Sequence, residues 1–286
     1  MSVYNDRTFL QSLPYIDSSL ANAVPRDVVY NLFLNPDEEN GKVVIHAHVA
    51  KEHLIRTAPT VLLIHGWTTS DVSPWCKLLK DGYFKLGAHN IIYVNWRNAG
   101  NKDFAVSCAN AKPIGGFIAQ FLLDTEIPLE NVHVVGFSLG AHVASNVGKF
   151  VFEHTGKKLS RITALDPTGP VFQRSGYNTK IFIYDAEFVD VIHTDIQYFG
   201  YSRPIGHVDF YPNKVNCSHE RSTLYFVESL TRKAKALEAK YEEITGEPHV
   251  TVKENGKEVV FGQHVDKTTR GVFFLETNSE PPFLKV

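Results

Sequence analysis

Five short runs of apolar, mostly β-branched residues, at 60–65, 91–96, 131–136, 161–165 and 188–193, constrain this chain most strongly. A strand with one wet face alternates apolar and polar side chains. A nearly continuous apolar run is instead the pattern of a strand buried on both faces, as in a parallel sheet covered by helices. Parallel neighbours need long crossovers, and helical stretches are predicted between these runs at 73–86, 110–124 and 139–152. The alternation predicts an α/β fold, a mostly parallel central sheet with helices on both faces and right-handed connections. A further strand is predicted at 28–34.

Beyond residue 217 a helix is predicted at 220–231, and the charged stretch 232–243 reads as a solvated helix face because its Lys and Glu residues recur at helical spacing. The segments 250–261 and 272–277 read as strands, with Asn255-Gly256 as a hairpin turn joining 250–253 to 259–261. No Pro/Gly/Ser-rich stretch divides the chain, so residues 1–286 are expected to form a single domain.

Composition narrows the function. With 286 residues, 43% of them hydrophobic, the chain can fill one sizeable core and is not of the disordered type. Its 29 basic and 31 acidic side chains give a net charge of −2, which leaves no positive field for nucleic acid. No apolar run reaches the roughly 18 residues a transmembrane helix needs. The first thirty residues are interrupted by Asn5, Asp6, Arg7 and Asp17 and carry no apolar stretch of the signal-peptide type. Three cysteines, Cys76, Cys108 and Cys217, form no CxxC pair and allow at most one bridge. That speaks against a zinc site and against a disulfide-stapled scaffold.

The chemistry is written in Gly136-Phe137-Ser138-Leu139-Gly140, which fits the G-x-S-x-G nucleophile elbow. In such an elbow a sharp strand-to-helix turn holds a serine in strained geometry with its hydroxyl exposed. Here a buried strand is predicted immediately before Ser138, and the helix after it carries Gly140, Ala144 and Gly148 as a stripe of small residues suited to close packing. A serine needs a base, and the base needs an orienting carboxylate, in the order Ser, acid, His for this arrangement. Asp166, directly after the strand 161–165, stands where catalytic groups collect at the carboxyl ends of sheet strands. Five histidines follow: His193, His207, His219, His249 and His264. His193 ends a buried strand, a structural position. His207 suits either role. His219, in a polar loop ahead of a helix, is the best placed on pattern, which does not settle the choice. For the oxyanion hole, Leu139 offers an unpaired N–H at a helix N-terminus, and Trp67, after Gly66 at the end of strand 60–65, offers the second.

Together these segments resemble the pancreatic lipase family, in particular its insect neutral lipase and phospholipase A1 branch. The resemblance is carried by Leu63-Ile-His-Gly-Trp67, Val135-Gly-Phe-Ser-Leu-Gly-Ala-His142, Ile162-Thr-Ala-Leu-Asp-Pro167, Phe188-Val-Asp-Val-Ile-His-Thr-Asp195, Gly206-His-Val-Asp-Phe-Tyr-Pro-Asn213 and Cys217-Ser-His-Glu-Arg221, and it runs from about Asp27 to Phe283. It implies an α/β-hydrolase fold, Ser138 as nucleophile, Asp166 as orienting acid, His219 as base and Trp67 and Leu139 as oxyanion donors. The implied activity is hydrolysis of lipid acyl esters at a membrane or micelle surface, phospholipase A1-like or, alternatively, triacylglycerol lipase or carboxylesterase. The implied setting is extracellular. Yolk proteins of the same family, which lack the nucleophile, make a lipid-carrying or storage role the alternative of another class.

Departures from the family pattern refine these expectations. Only Lys214, Val215 and Asn216 separate Asn213 from Cys217, where the family's lid would be inserted, and the loop 196–201 is short. Short lids and loops in the family accompany phospholipase, galactolipase or esterase activity. Tyr198, Phe199, Tyr201 and Trp67 are candidates for the remaining apolar rim. Of the family's calcium carboxylates only Asp185 is found, with Phe182 and Tyr177 at neighbouring positions, too few oxygens for calcium, so neither metal nor cofactor is expected. With Val286 as the last residue of the sequence, neither the family's lipid-binding β-sandwich nor a colipase-like partner is expected. The one sequon, Asn216-Cys217-Ser218, adjoins the proposed base and is expected to be unused.

Overall fold

The computed structural model describes residues 15–69, 73–213 and 218–286. In chain order its strands are β1 (Val29–Phe33), β2 (Lys42–Val44), β3 (Thr60–Ile64), β4 (Asn90–Asn95), β5 (Val132–Phe137), β6 (Leu159–Leu165), β7 (Ala186–Ile192), β8 (Val208–Pro212), β9 (Lys235–Ile244), β10 (Glu247–Val252), β11 (Glu258–Val260) and β12 (Gly271–Leu275). They form one sheet in the order β10-β9-β12-β8-β7-β6-β5-β3-β4-β1-β2, with β11 also paired to β9. From β4 to β12 all neighbours are parallel, and the two edges are antiparallel. This is the mostly parallel sheet expected from the apolar runs, in the α/β-hydrolase arrangement that the resemblance implies.

β3 shows why those runs are continuous. Leu62 and Ile64 pack on one face with α3 (Phe104–Thr125) and α4 (Leu139–Thr155), among Ile118, Val143 and Val147. Val61 and Leu63 pack on the other with α2 (Pro74–Leu86) and α5 (Arg221–Ser229), among Leu79, Tyr83 and Phe226. A short α1 (Ala47–His53) and a helical turn at Arg97–Gly100 complete the helices that concern the site. The small-residue stripe does bring α4 close: a Cβ on Gly140 would lie 2.4 Å from Ile64 O, and one on Gly148 2.0 Å from Asp185 O. β6 and β7, whose ends carry the site's acid and its supports, are clamped by the buried pair Arg161–Asp190, with bonds of 2.8 and 2.7 Å. Removing one partner of such a pair costs about 3–5 kcal/mol, because it strands a buried charge.

Three expectations are corrected. The charged stretch 232–243 is not a helix: 235–244 is β9. Pairs of Lys and Glu on a helix are worth only about 0.2–0.5 kcal/mol each, and here the charges pair across strands instead, as Lys253–Glu238 and Lys235–Glu258, both at 2.6 Å. Ala236 and Ala239 are buried on the strand. Asn255-Gly256 does not close a hairpin, since β10 and β11 both pair with β9 and continue in one direction along it. The hairpin turn is Thr245-Gly246, both at positive φ, between β9 and β10. Finally, α3 begins at Phe104, six residues before the expected start, with Ser107 N bonded to Asp103 O. Lys214 to Cys217, including the sequon asparagine, lie outside the described residues.

Candidate active site

The site is assembled at the carboxyl ends of β3, β5, β6 and β7. β5 ends at Phe137 and α4 begins at Leu139, so Ser138 alone makes the turn, with φ 56° and ψ −122°. For a residue with a side chain this is strained backbone, worth about 1–3 kcal/mol. Gly136 makes room for it, since a Cβ there would lie 2.4 Å from Gly140 O. Ser138 N donates to Leu165 O at 2.9 Å, fixing the elbow to the end of β6.

Asp166 follows β6 with φ 43° and is fully buried. A buried carboxylate must have its oxygens satisfied, and here Oδ1 accepts from Thr194 N (2.8 Å) while Oδ2 accepts from Asp195 N (3.1 Å) and contacts His219 Nδ1 (2.6 Å). Gly200 lets the loop close over this carboxylate; its Cβ would lie 2.5 Å from Asp166 Oδ1. His219 stands just before α5, its carbonyl accepting from Ser222 Oγ (3.0 Å) and Thr194 Oγ1 (3.3 Å). Its ring lies beside Phe137 and Phe199, at centroid distances of 4.8 and 5.7 Å. His219 Nε2 is 2.8 Å from Ser138 Oγ.

The hydrogen-bond network assigns the protons. Asp166 can only accept, so Nδ1 carries the imidazole proton and Nε2 is left to accept from the Ser138 hydroxyl. Ser138 Oγ is also 3.1 Å from Thr168 Oγ1. Ser138 has one proton and points it at His219 Nε2, so Thr168 is the donor in that contact. The serine oxygen therefore gives one hydrogen bond and receives one.

The segment that carries the first oxyanion candidate, Trp67, runs beside this serine. A Cβ on Gly66 would lie 2.8 Å from Ser138 Cβ, so only glycine lets the Gly66-Trp67 segment approach the elbow. His65 anchors that segment: its Nδ1 reaches Gly66 O (2.9 Å), its Nε2 accepts from Trp96 N (3.1 Å), and Trp96 Nε1 donates to His65 O (2.8 Å). The Trp67 indole is itself tied to Lys102 O at 2.8 Å. Leu139 is the first residue of α4, where backbone N–H groups have no helical partner.

The other histidines serve elsewhere. His193 bridges Tyr201 O and Asp209, each at 2.8 Å, His207 accepts from Val189 N, and His264 reaches Leu230 O. His249 lies on the edge strand β10. His142, in the elbow motif, was not singled out by sequence reasoning. It is fully buried, with Nε2 donating to Thr168 O (2.8 Å) and Nδ1 accepting from Ile181 N (3.2 Å), so it positions the threonine that touches Ser138. Burial pushes its pKa down to about 3 from 6.5. Below pH 6.5 the unfolded chain takes up a proton here that the native state refuses. This stability is therefore complete above pH 6.5 and drains as pH falls toward 3, by about 2 kcal/mol at pH 5. Denaturant titrations at pH 7 and 5 are expected to show that loss, and His142→Asn to have a shallower acid slope by about one proton; equal slopes would contradict it.

The cleft above Ser138 encloses about 360 Å³, with Trp67, Phe104, Phe137, Pro170 and Phe199 as apolar walls and Thr168 and His219 at its base. Tyr198 and Phe199 stand at the surface, 48% and 43% exposed. Tyr201, expected at this rim, is instead buried, its hydroxyl accepting from Lys180 Nζ at 3.0 Å. A cavity of about 500 Å³ between α3 and α4, by Phe117 and Phe150, is larger but holds no nucleophile paired with a base.

Asp185 does not fit a calcium ion. Its Oδ2 is taken by Lys149 Nζ (2.8 Å), Ser145 Oγ (2.7 Å) and Phe182 N (2.8 Å), and Lys149 also bonds Lys180 O. Burial pushes the Asp185 carboxyl up and the Lys149 amine down, each opposed by the other's charge. The ammonium thus already supplies the positive charge. Among the described residues no group of three or more His, Cys, Asp or Glu side chains could hold a metal, and no helix is long and apolar enough to cross a membrane.

With this geometry in view, a family model described as Lipase matches residues 16–214, ending before His219. Lipoprotein lipase from Homo sapiens is 32% identical over 270 residues, covering 78% of this chain and 56% of that protein. The chain belongs to the pancreatic lipase family. Lipoprotein lipase from Gallus gallus is 35% identical over 217 residues, covering 63% of this chain and 44% of that protein. The chain thus spans about half the length of the curated relatives it matches. Among solved structures, an alpha-beta serine hydrolase homologue from Coxiella burnetii overlaps 72% of this chain and 90% of its own, at 12% identity and a TM-score of 0.42.

Proposed function

We propose that this family member hydrolyses acyl esters of lipids through an acyl-enzyme on Ser138, with phospholipase A1-like chemistry. The observation that carries the reading is the relay of 2.8 Å from Ser138 Oγ to His219 Nε2 and 2.6 Å from His219 Nδ1 to Asp166 Oδ2, set in a strained elbow at the floor of an apolar cleft. Ser138 attacks the ester carbonyl as His219 takes its proton, and Asp166 holds the tautomer and stabilises the imidazolium. The N–H groups of Trp67 and Leu139 receive the oxyanion. His219 then protonates the departing alkoxide, and water, activated by the same base, frees the fatty acid. Thr168 donates to Ser138 Oγ. A hydrogen bond to a charged oxygen is stronger than to a neutral one, so this donor favours the serine oxygen both as it attacks and as it leaves.

The open cleft and the exposed Tyr198 and Phe199 support action on a lipid surface, with neither metal nor colipase required. The family resemblance supports an extracellular setting. The test is fatty-acid release from phosphatidylcholine with distinguishable acyl chains, beside a triglyceride emulsion. Release from the first glycerol position is the expected result. Preferential triglyceride cleavage would instead favour a triacylglycerol lipase. Inert protein with co-purifying lipid would favour a carrier.

A further inference from the structure

Pro170 lines both the cleft above Ser138 and a second, smaller pocket of about 200 Å³. The segments that follow β6 and β7 are stitched together here: Gly169 N donates to Phe199 O (2.7 Å) and Tyr201 N to Pro167 O (2.6 Å). The two pockets differ in chemistry. The first is walled by aromatic rings. The second presents the exposed guanidinium of Arg174 with the amides of Gln173 and Gln197 beside Tyr198, and no carboxylate lines it. No acidic side chain among the described residues pairs with Arg174. Gln173 is oriented: its Oε1 accepts from Ser202 Oγ (3.0 Å), which leaves its NH₂ as the free donor, beside Gly169, where a Cβ would crowd it at 2.9 Å. The segment is held in an unusual shape, for Val171, β-branched and buried, has φ 70°. Such strain persists only where the surroundings impose it, and it clusters at ligand sites.

We propose that this pocket is a subsite for an anionic phosphate, with Arg174 and the Gln173 amide as donors, and that it holds the headgroup phosphate of a phospholipid whose ester lies at Ser138. The inference rests on the hydrolase reading above. A planar guanidinium matches phosphate oxygens in pairs, and an amide NH₂ adds a neutral donor. An acylglycerol has no charge to offer here, so the subsite selects phospholipid over neutral lipid of the same chain length.

The experiment compares native protein with Arg174→Gln on phosphatidylcholine and on diacylglycerol of identical chains in mixed micelles, with inorganic phosphate as a competitor in a parallel arm. The variant is expected to lose about 10- to 100-fold in kcat/KM on phosphatidylcholine, the size of a charge-assisted hydrogen bond, and to match native protein on diacylglycerol. Three results would overturn the subsite while leaving the hydrolase reading intact. These are equal losses on both lipids, no loss on phosphatidylcholine, or a variant that loses only its sensitivity to inorganic phosphate, which would make the pocket a free-anion site. Native protein inert toward both lipids would overturn the hydrolase reading itself.

Discussion

Asp166→Asn is expected to lower kcat about 10⁴-fold while the fold and lipid binding persist. Asp166 presents two acceptor oxygens to three N–H groups, those of Thr194, Asp195 and His219. An asparagine that still accepts from Thr194 N turns its NH₂ toward His219 Nδ1 and Asp195 N. Nδ1 then has to accept, the ring proton moves to Nε2, and the serine hydroxyl meets a donor where it needs a base. The side chain is nearly isosteric, so circular dichroism is expected to be unchanged, while the Asp195 N–H left facing an amide donor lowers stability by about 1–3 kcal/mol, far short of unfolding the protein. A loss under tenfold would mean that His219 does not depend on Asp166 for its tautomer.

Gly66→Ala is expected to cost about 10²–10³ in kcat, the usual worth of one oxyanion donor. The added methyl would sit 2.8 Å from Ser138 Cβ and 3.2 Å from Phe137 O. Neither belongs to the end of a flexible side chain, so the strain falls on the Gly66-Trp67 backbone, which moves its N–H away from the developing charge. KM is expected to hold, because the apolar walls at Phe104, Phe137 and Phe199 are untouched. Kinetics on a soluble ester separate the two constants, and a kcat within threefold of native would remove Trp67 from the oxyanion hole.

What was legible in the sequence follows from what leaves a local trace. Doubly buried strands leave continuous apolar runs, and β3 to β7 stand within two residues of where those runs predict them. The elbow was legible because strand, glycine, serine, glycine and helix are consecutive. His219 was not settled by pattern, since its partners lie 53 and 81 residues away, and only family resemblance singled it out. β9 was misread because its side chains satisfy helical spacing, whereas its backbone partners are remote: the hairpin with β10, and β12 across the sheet. Thr168, His142 and Gly200 escaped for the same reason. Each acts by touching a segment distant in sequence, and a threonine after Asp-Pro carries no motif of its own.

The central claim is that Ser138 is an activated nucleophile. It is tested most directly by incubating native protein, Ser138→Ala and His219→Ala with a fluorophosphonate and locating the adduct by mass spectrometry. The expected result is one adduct per chain, on Ser138, with none in Ser138→Ala and labelling slowed by orders of magnitude in His219→Ala. Folded native protein that stays unlabelled, or is labelled on another residue, would contradict it.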